Sequence, residues 1–298
     1  MKMVATLVHR NVQAFWRDRM TVFFSLMSPI ILFILFMIFF RRTIAELVLS
    51  YIPTAVEADA YAACDEWLFA SVATLATFTS SLGMLTGFVE DRVSGRFADY
   101  LVAPVKRWQL ALSYILATWL VSFVLSVILL FIGQAWALGH DQPLMSVTQD
   151  LNCVFGILLG SMVFSAFNTF IVTYTTTQGG FGGYSIIMGT AMGFLSFSYV
   201  PPANLSDTIN TALSAMPFAQ VAAIIRKPAT EPAISRLMEA IPEGQIRDDA
   251  HAEIVHAFGI QLKVQEYVLS LGFMVALIVG VTVVLALLGA WRMRRAIR

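Results

Sequence analysis

The chain has 298 residues, of which 58% are hydrophobic and only 13% are charged. Soluble domains carry about a quarter charged residues, so this composition excludes an ordinary soluble protein. The formal net charge is zero, and Lys and Arg cluster only in the C-terminal tail, which argues against a nucleic-acid-binding protein.

Long uncharged stretches predict membrane-spanning helices. Asp, Glu, Lys and Arg are missing from 20–40, 67–89, 108–140, 151–206 and 267–291. About 20 apolar helical residues cross a hydrocarbon core of about 30 Å, so four stretches hold one helix each and the longest holds two. We predict an all-α polytopic membrane protein with six transmembrane helices, over about 20–40, 67–89, 109–137, 152–174, 182–200 and 267–291.

The segment 1–19 precedes the first span, and 20–298 is predicted to form one transmembrane domain. Apolar residues at helical spacing in 1–19, from Val4 to Trp16, predict an amphipathic helix lying in the inner interface. In the first span, Pro29 is expected to kink the helix or free a carbonyl group. Arg41 and Arg42 follow this span and are expected to reach the lipid head groups.

Basic and acidic residues separate to opposite sides of the predicted membrane. Basic residues exceed acidic ones in 1–19, in 90–107 and after 291, whereas acidic residues dominate 41–66, 141–150 and 203–266. Basic flanks mark the cytoplasmic side. We therefore expect a multi-pass protein of the plasma (inner) membrane with both termini in the cytoplasm, and an external segment, 203–266, that forms a small lid.

Small hydroxyl residues are concentrated in the second span. Such residues favour close helix packing and interhelical hydrogen bonds, or they line a path for polar groups; packing is the expected role for most of them. The Gly156/Gly160 and Gly189/Gly193 pairs have the spacing that lets helix backbones approach. The candidates for a substrate path are Phe24, Ser71, Thr74, Ser81 and Phe194.

The predicted spans lack the residues of several chemistries. They contain no ionisable side chain, which ion-coupled transporters normally require at membrane depth. The sequence has no G-x-x-x-x-G-K-[S/T] nucleotide loop, and it offers no candidate catalytic or metal-binding residues. Cys64 and Cys153 are either two buried thiols or a single bridge. If the chain moves a solute uphill, another chain must supply the energy.

The loop after the second span has the sequence EDRVSGRFADYLVAPVKRWQL, beginning at Glu90. Phe97 and Leu101 form an apolar stripe between charged residues, which predicts a short amphipathic helix that Pro104 ends. An ordinary basic inner loop without a partner is the alternative interpretation.

This loop resembles the signature of type-2 ATP-binding-cassette (ABC) transporter permeases of the drug or antibiotic exporter type. An acidic cluster, a glycine, a leucine and a proline carry the resemblance, as Glu90, Asp91, Gly95, Leu101 and Pro104. The N-terminal helix, the six spans and the proline-rich outer segment agree with the family's layout. The chain departs from the family at Arg96, where a Thr is common, and it lacks the Gly-Lys pair that often opens the third span.

The resemblance implies an inner coupling helix around 91–103, an outer helical hairpin, and a path opened by the first, second and fifth spans. The implied partners are a cytoplasmic ABC ATPase subunit, a second copy of the chain or a similar permease, and membrane lipids. ATP and Mg would bind to the ATPase and no cofactor to this chain, which would be a transport subunit rather than an enzyme. The implied ATPase-coupling residues are Glu90, Asp91, Gly95, Phe97, Leu101 and Pro104.

These features together favour a permease subunit that exports an amphiphilic or drug-like molecule. A polysaccharide or lipid-linked glycan exporter is a competing possibility for the cargo. A scaffold or assembly factor that recruits a protein without transport is an alternative from another class, and a channel is a third.

Overall fold

The computed structural model of the chain describes residues 2–52, 54–97, 105–265 and 267–296. A π-helical stretch, Phe36–Phe40, joins α3 to α4, and β1 (Lys263–Val264) pairs antiparallel with β2 (Tyr267–Val268). In chain order the α-helices of the described residues are α1 (Lys2–Arg17), α2 (Arg19–Ser25), α3 (Met27–Leu35), α4 (Arg41–Tyr51), α5 (Glu57–Val93), α6 (Arg107–Gly139), α7 (Val147–Val172), α8 (Gln178–Leu195), α9 (Asp207–Ser214), α10 (Pro217–Glu239), α11 (Gln245–Ala257) and α12 (Leu271–Ala296).

The helices confirm the all-α polytopic class. Four of them, α5, α6, α7 and α12, are long and apolar enough to cross a membrane. Two bent pairs raise the number of possible spans in the described residues to six: α2 with α3–α4, bent by 43°, and α9 with α10, bent by 87°. The predicted fifth span corresponds to α8, which is short, contains six glycines, and is not among these candidates.

The first span breaks at Leu26, between α2 and α3. Pro29 has no N–H to donate to the carbonyl of Ser25, four residues earlier, so a regular helix cannot continue through this point. Asp18 caps α2 by accepting hydrogen bonds from Thr21 and Met20, and these bonds, chiefly those from Thr21, lower the pKa of the Asp18 carboxyl. The predicted kink is therefore present, three residues before the proline.

The C-terminal end of this span is held by an ion pair. Arg41 donates from Nε and Nη2 to the two carboxylate oxygens of Asp65, at 2.7 and 2.8 Å. Asp65 is buried and also accepts a hydrogen bond from Gln142 on the segment after α6. Arg41 thus contacts a carboxylate of α5 instead of the lipid head groups, whereas Arg42 is exposed and pairs with Glu46. The bidentate geometry fixes α4 against α5.

The core is organised around α5, which packs against α6, α7 and α10. Most of its residues from Ala60 to Val89 are buried, including six Ser and Thr side chains. Many of these hydroxyl groups donate to carbonyls of the preceding turn of the same helix, as Thr74 does to Ala70. This bonding satisfies the polar groups where water is absent.

Part of the predicted external segment belongs to the helix bundle. α10 packs against both α5 and α7. A Cβ atom added to Gly160 would lie 2.6 Å from Val221 Cγ1, and one added to Gly156 would lie 2.8 Å from Ile225 Cγ1. These two glycines, recognised in the sequence by their spacing, therefore admit α10 beside α7. The prediction that 203–266 forms a lid did not anticipate that α10 packs against α5 and α7 within the bundle.

Gly83 brings α2 into contact with α5. A Cβ atom at Gly83 would overlap the Cβ of Ser25, whereas at Gly87, one turn further along the same helix, no atom lies within 4 Å. We expect Gly83→Ala to lower the free energy of unfolding, because overpacking costs about 1–3 kcal/mol and the gain in helix propensity offsets at most about 1 kcal/mol.

Gly87→Ala is the matched control for this overpacking. It gains the same propensity without the overlap and should leave stability unchanged or raise it. Thermal unfolding of the two purified variants in detergent measures the difference, and equal midpoints would contradict the close α2–α5 contact.

Candidate functional site

An uncharged groove runs between α2–α3, α5 and α8. Its volume is about 780 Å³, and none of its lining residues is Asp, Glu, Lys, Arg or His. Large apolar side chains form most of its surface, among them Phe24, Ile31, Leu35, Phe40, Ile186 and Phe194.

Hydroxyl groups provide the polar part of the groove. Ser28 on α3 and Tyr199, which follows α8, lie 3.3 Å apart between their oxygen atoms and connect the two walls. The other hydroxyl residues of the lining are Thr21, Ser25, Thr79, Thr86, Ser185 and Thr190. A mainly apolar surface with a few hydrogen-bonding groups suits a ligand that is itself amphiphilic and uncharged where it contacts the wall.

A second cluster lies at the end of α5 that meets α1. The carboxylate of Asp91 is buried and accepts hydrogen bonds from Arg10 Nη2 at 2.6 Å, from the Tyr114 hydroxyl at 2.5 Å and from Arg96 Nη1 at 3.2 Å. Arg10 belongs to α1 and Tyr114 to α6, so one carboxylate joins three helices. Asn11 of α1 also lies within 3.5 Å of Ser113 on α6. The cluster therefore ties α1 to α5 and α6.

The turn after α5 folds back onto this cluster. Gly95 has φ +76°, a left-handed conformation that glycine adopts without steric cost, and it ends the helix. Phe97 is buried, and its ring centroid lies 5.3 Å from that of Phe88 and 6.4 Å from that of Tyr114. Glu90 is exposed. Leu101 and Pro104 lie outside the described residues, as does the part of the predicted coupling helix from 98 to 103.

The sequence also matches a model of a known protein family. The model described as "ABC-2 family transporter protein" matches residues 60–288, well over half of the chain. The chain belongs to the ABC-2 transporter family. No individually curated protein matches it. The match covers α5 through most of α12. The α5 and α8 sides of the groove and the Asp91 end of α5 therefore lie within the ABC-2 region. The chain is a membrane-spanning ABC transporter subunit.

The groove contains two of the five predicted substrate-path residues. Phe24 and Phe194 line it and are exposed. Ser71, Thr74 and Ser81 are buried in helix contacts elsewhere: Ser71 accepts from Arg226, Thr74 donates to a carbonyl of its own helix, and Ser81 accepts from the amide of Asn168 on α7.

Sequence reasoning missed the hydroxyl residues of α5 that do line the groove. Thr79 and Thr86 lie on the groove side together with Leu82 and Gly83, at the helical spacing i, i+3, i+4, i+7. Gly83 is the residue that could have identified this face from the sequence, because it marks where another helix approaches most closely.

Arg226 on α10 forms a further buried polar centre in the ABC-2 region. Its guanidinium donates from Nε and Nη2 to Ser71 Oγ, at 3.2 and 3.0 Å, and from Nη2 to Ser196 O and Ser198 Oγ, at 2.9 and 3.1 Å. It also lies over the ring of Trp67 at 5.1 Å. No carboxylate pairs with it in the described part of the chain, and its Nη1 atom is buried without a hydrogen bond.

The Arg226 contacts hold the turn that follows α8. Within this turn Phe197 is fully buried with φ +54°, a strained backbone conformation for a residue with a side chain. Phe194 and Tyr199, on either side of it, line the groove. The buried arginine is thus one residue layer behind the groove wall and fixes its shape.

Proposed function

We propose that the chain is the permease subunit of an ATP-driven ABC exporter. It moves an amphiphilic or drug-like molecule outward across the plasma membrane, with energy from a separate cytoplasmic ATPase subunit that binds ATP and Mg. Membership of the ABC-2 family supports the ATPase partner. The uncharged groove with its hydroxyl groups supports the class of cargo.

One observation carries this proposal: the groove and the cluster around Asp91 share α5. Thr79 and Thr86 line the groove, Gly83 contacts α2, and Asp91 anchors α1 and the following turn. A displacement applied at the Asp91 end therefore reaches the groove wall through a single helix. A regular helix transmits such a displacement because its backbone hydrogen bonds make it stiff along its axis.

The proposed ATPase contact is the exposed surface around the turn after α5. Glu90 would face basic residues of the ATPase, while Asp91 and Phe97 would hold the turn and α1 in position from inside. Gly95 would set the direction of the turn, and Leu101 and Pro104 would complete the inner helix. The inner end of the bundle, with both termini, would then face the cytoplasm.

A second copy of the chain, or a similar permease, would close the groove. The groove opens sideways along α2–α3 and α8, where hydroxyl residues such as Thr190 would otherwise be presented to lipid tails. Unsatisfied hydroxyl groups are unfavourable in hydrocarbon. Two facing grooves would form one enclosed path with polar groups on its inner surface.

The test is transport by the reconstituted complex. The chain is purified with the ATPase encoded beside it and placed in inside-out vesicles, and ATP-dependent uptake of a fluorescent amphiphile is measured. Uptake that disappears with a hydrolysis-deficient ATPase supports the proposal. A scaffold predicts binding of the ATPase without uptake, and a channel predicts ion conductance from the chain alone; either result contradicts it.

The exposed aromatic residues of the groove give a prediction about the cargo. We expect Phe24→Ala and Phe194→Ala to raise the KM for uptake of the amphiphile about tenfold or more, because each removes apolar surface worth about 1.5–3 kcal/mol when it is covered by a ligand. Phe131→Ala on α6 is the matched control, since Phe131 is equally exposed but outside the groove. An equal effect of all three variants would place the cargo elsewhere.

A further inference from the structure

Two arginines meet beside the segment that follows α7, at the same end of the bundle as Asp91. Arg92, near the end of α5, donates from Nη1 to the carbonyls of Thr173 and Thr175, at 3.1 and 2.8 Å. Arg292, near the end of α12, lies over the ring of Tyr174, with its Cζ 3.8 Å from the ring centroid. Two helices that are far apart in sequence thus place a guanidinium on the same three-residue segment.

The pair brings two like charges together, because both guanidinium groups contact the segment 173–175. Among the described residues, neither forms an ion pair with a carboxylate. The Nε atom of Arg292 is buried without a hydrogen-bond acceptor. The carbonyl groups at the end of α7 stabilise Arg92 only in part, because they carry partial charges. Within 2–52, 54–97, 105–265 and 267–296, no carboxylate balances the two guanidinium groups.

The surroundings of the pair indicate the source of a balancing anion. α12 is largely exposed along its length, with Val283, Val284 and Leu287 directed outward, as expected of a helix in contact with lipid tails. Tyr174 and Trp291 are about half exposed beside the arginines, and such aromatic residues mark the level of the lipid head groups. The pair therefore lies at the boundary where lipid phosphates are found.

We propose that Arg92, Arg292 and Tyr174 form a binding site for the head group of an anionic phospholipid of the inner leaflet. The planar guanidinium groups donate to the phosphate oxygens in pairs, which an ammonium group cannot do. Tyr174 holds Arg292 in place by stacking. A bound lipid would balance the two charges and would join α5, α7 and α12 at their inner ends.

The test measures lipid binding to the full-length chain without the ATPase, so its result is independent of the transport proposal. The chain in nonionic detergent is titrated with phosphatidylglycerol or with phosphatidylcholine, and retained lipid is counted by native mass spectrometry. We expect selective retention of phosphatidylglycerol. Arg292→Gln should weaken it about fivefold, because one basic residue near an anionic lipid contributes about 1 kcal/mol.

Two variants make the test specific. Arg107→Gln removes an exposed arginine from the same end of the bundle and should leave the affinity unchanged. Arg292→Lys keeps the charge but loses the paired donors, so it should bind more weakly than the wild type and more tightly than Arg292→Gln. Equal losses in R107Q and R292Q, or equal retention of phosphatidylcholine, would overturn the site. Competition by millimolar inorganic phosphate would also overturn it, since the site would then serve a soluble anion.

Discussion

Asp91→Asn is expected to lower the free energy of unfolding by about 2–3 kcal/mol, the scale of a hydrogen bond to a buried charged group, and to abolish most ATP-driven uptake. The substitution preserves shape but removes the charge that Arg10 and Arg96 share. Both arginines are partly exposed, so water compensates them and keeps the loss below that of a fully buried pair. Without this ion pair, α1 would no longer move together with α5.

The measurement separates stability from coupling. Thermal unfolding of the variant reports its stability. The ratio of uptake to ATP hydrolysis in the reconstituted complex reports the coupling. Hydrolysis that continues while uptake is lost indicates uncoupling. Arg10→Gln provides the partner for a double-mutant cycle, in which the double variant should lose less than the sum of the single variants. Strict additivity would show that the ion pair does not carry the effect.

Arg226→Ala is expected to have the largest effect on stability, a loss of about 3 kcal/mol or more. It leaves the Ser196 carbonyl without its hydrogen-bond donor, which costs about 1–3 kcal/mol. The Ser71 and Ser198 hydroxyls each lose a donor but keep a partner, Trp67 O and Ser196 Oγ respectively. The substitution also leaves a cavity. Relief of the buried charge offsets part of this loss, so the net value stays below the sum.

Arg226→Met tests the origin of that loss. Methionine fills most of the volume and removes the charge, but it cannot hold the turn containing Phe197. We expect intermediate stability with impaired uptake. Arg42→Ala, which removes an exposed arginine paired with Glu46, should leave the unfolding midpoint unchanged. A wild-type midpoint for Arg226→Ala would contradict the structural role of this residue.

The positions of the long helices were predictable because uncharged stretches have a direct physical meaning in a membrane. α5 and α6 contain their predicted spans and extend beyond them by up to ten residues, whereas α7 ends two residues before the predicted end at 174 and α12 begins four residues after the predicted start at 267. α10 was not predictable in the same way. Its sequence contains Arg226, Lys227 and two internal prolines, features that normally indicate a segment in water. The structure accommodates the arginine by surrounding it with hydroxyl groups and an indole ring.

The lining of the groove could not be derived from periodicity. A helix with one exposed face shows an amphipathic pattern that identifies the buried side. α5 is buried on all sides, so its serines and threonines occur around the whole circumference and carry no such signal. Ser71 and Thr79 have the same chemistry and differ only in which neighbours they meet. Similarly, Asp91 could be recognised as part of a motif, but not as the partner of Arg10, 81 residues away.

The first span is fastened at two points and irregular between them. Its N-terminal part contacts α5 where Gly83 meets Ser25, and its C-terminal end is held by the Arg41–Asp65 pair. Between these points lie the break at Leu26 and the π-helical turns of Phe36–Phe40, where the regular hydrogen-bond ladder is interrupted. A span that is held at both ends and irregular between them bends instead of sliding along α5. The width of the groove would then be set by the curvature of one wall, and a substitution that straightens Leu26 would act on every cargo alike.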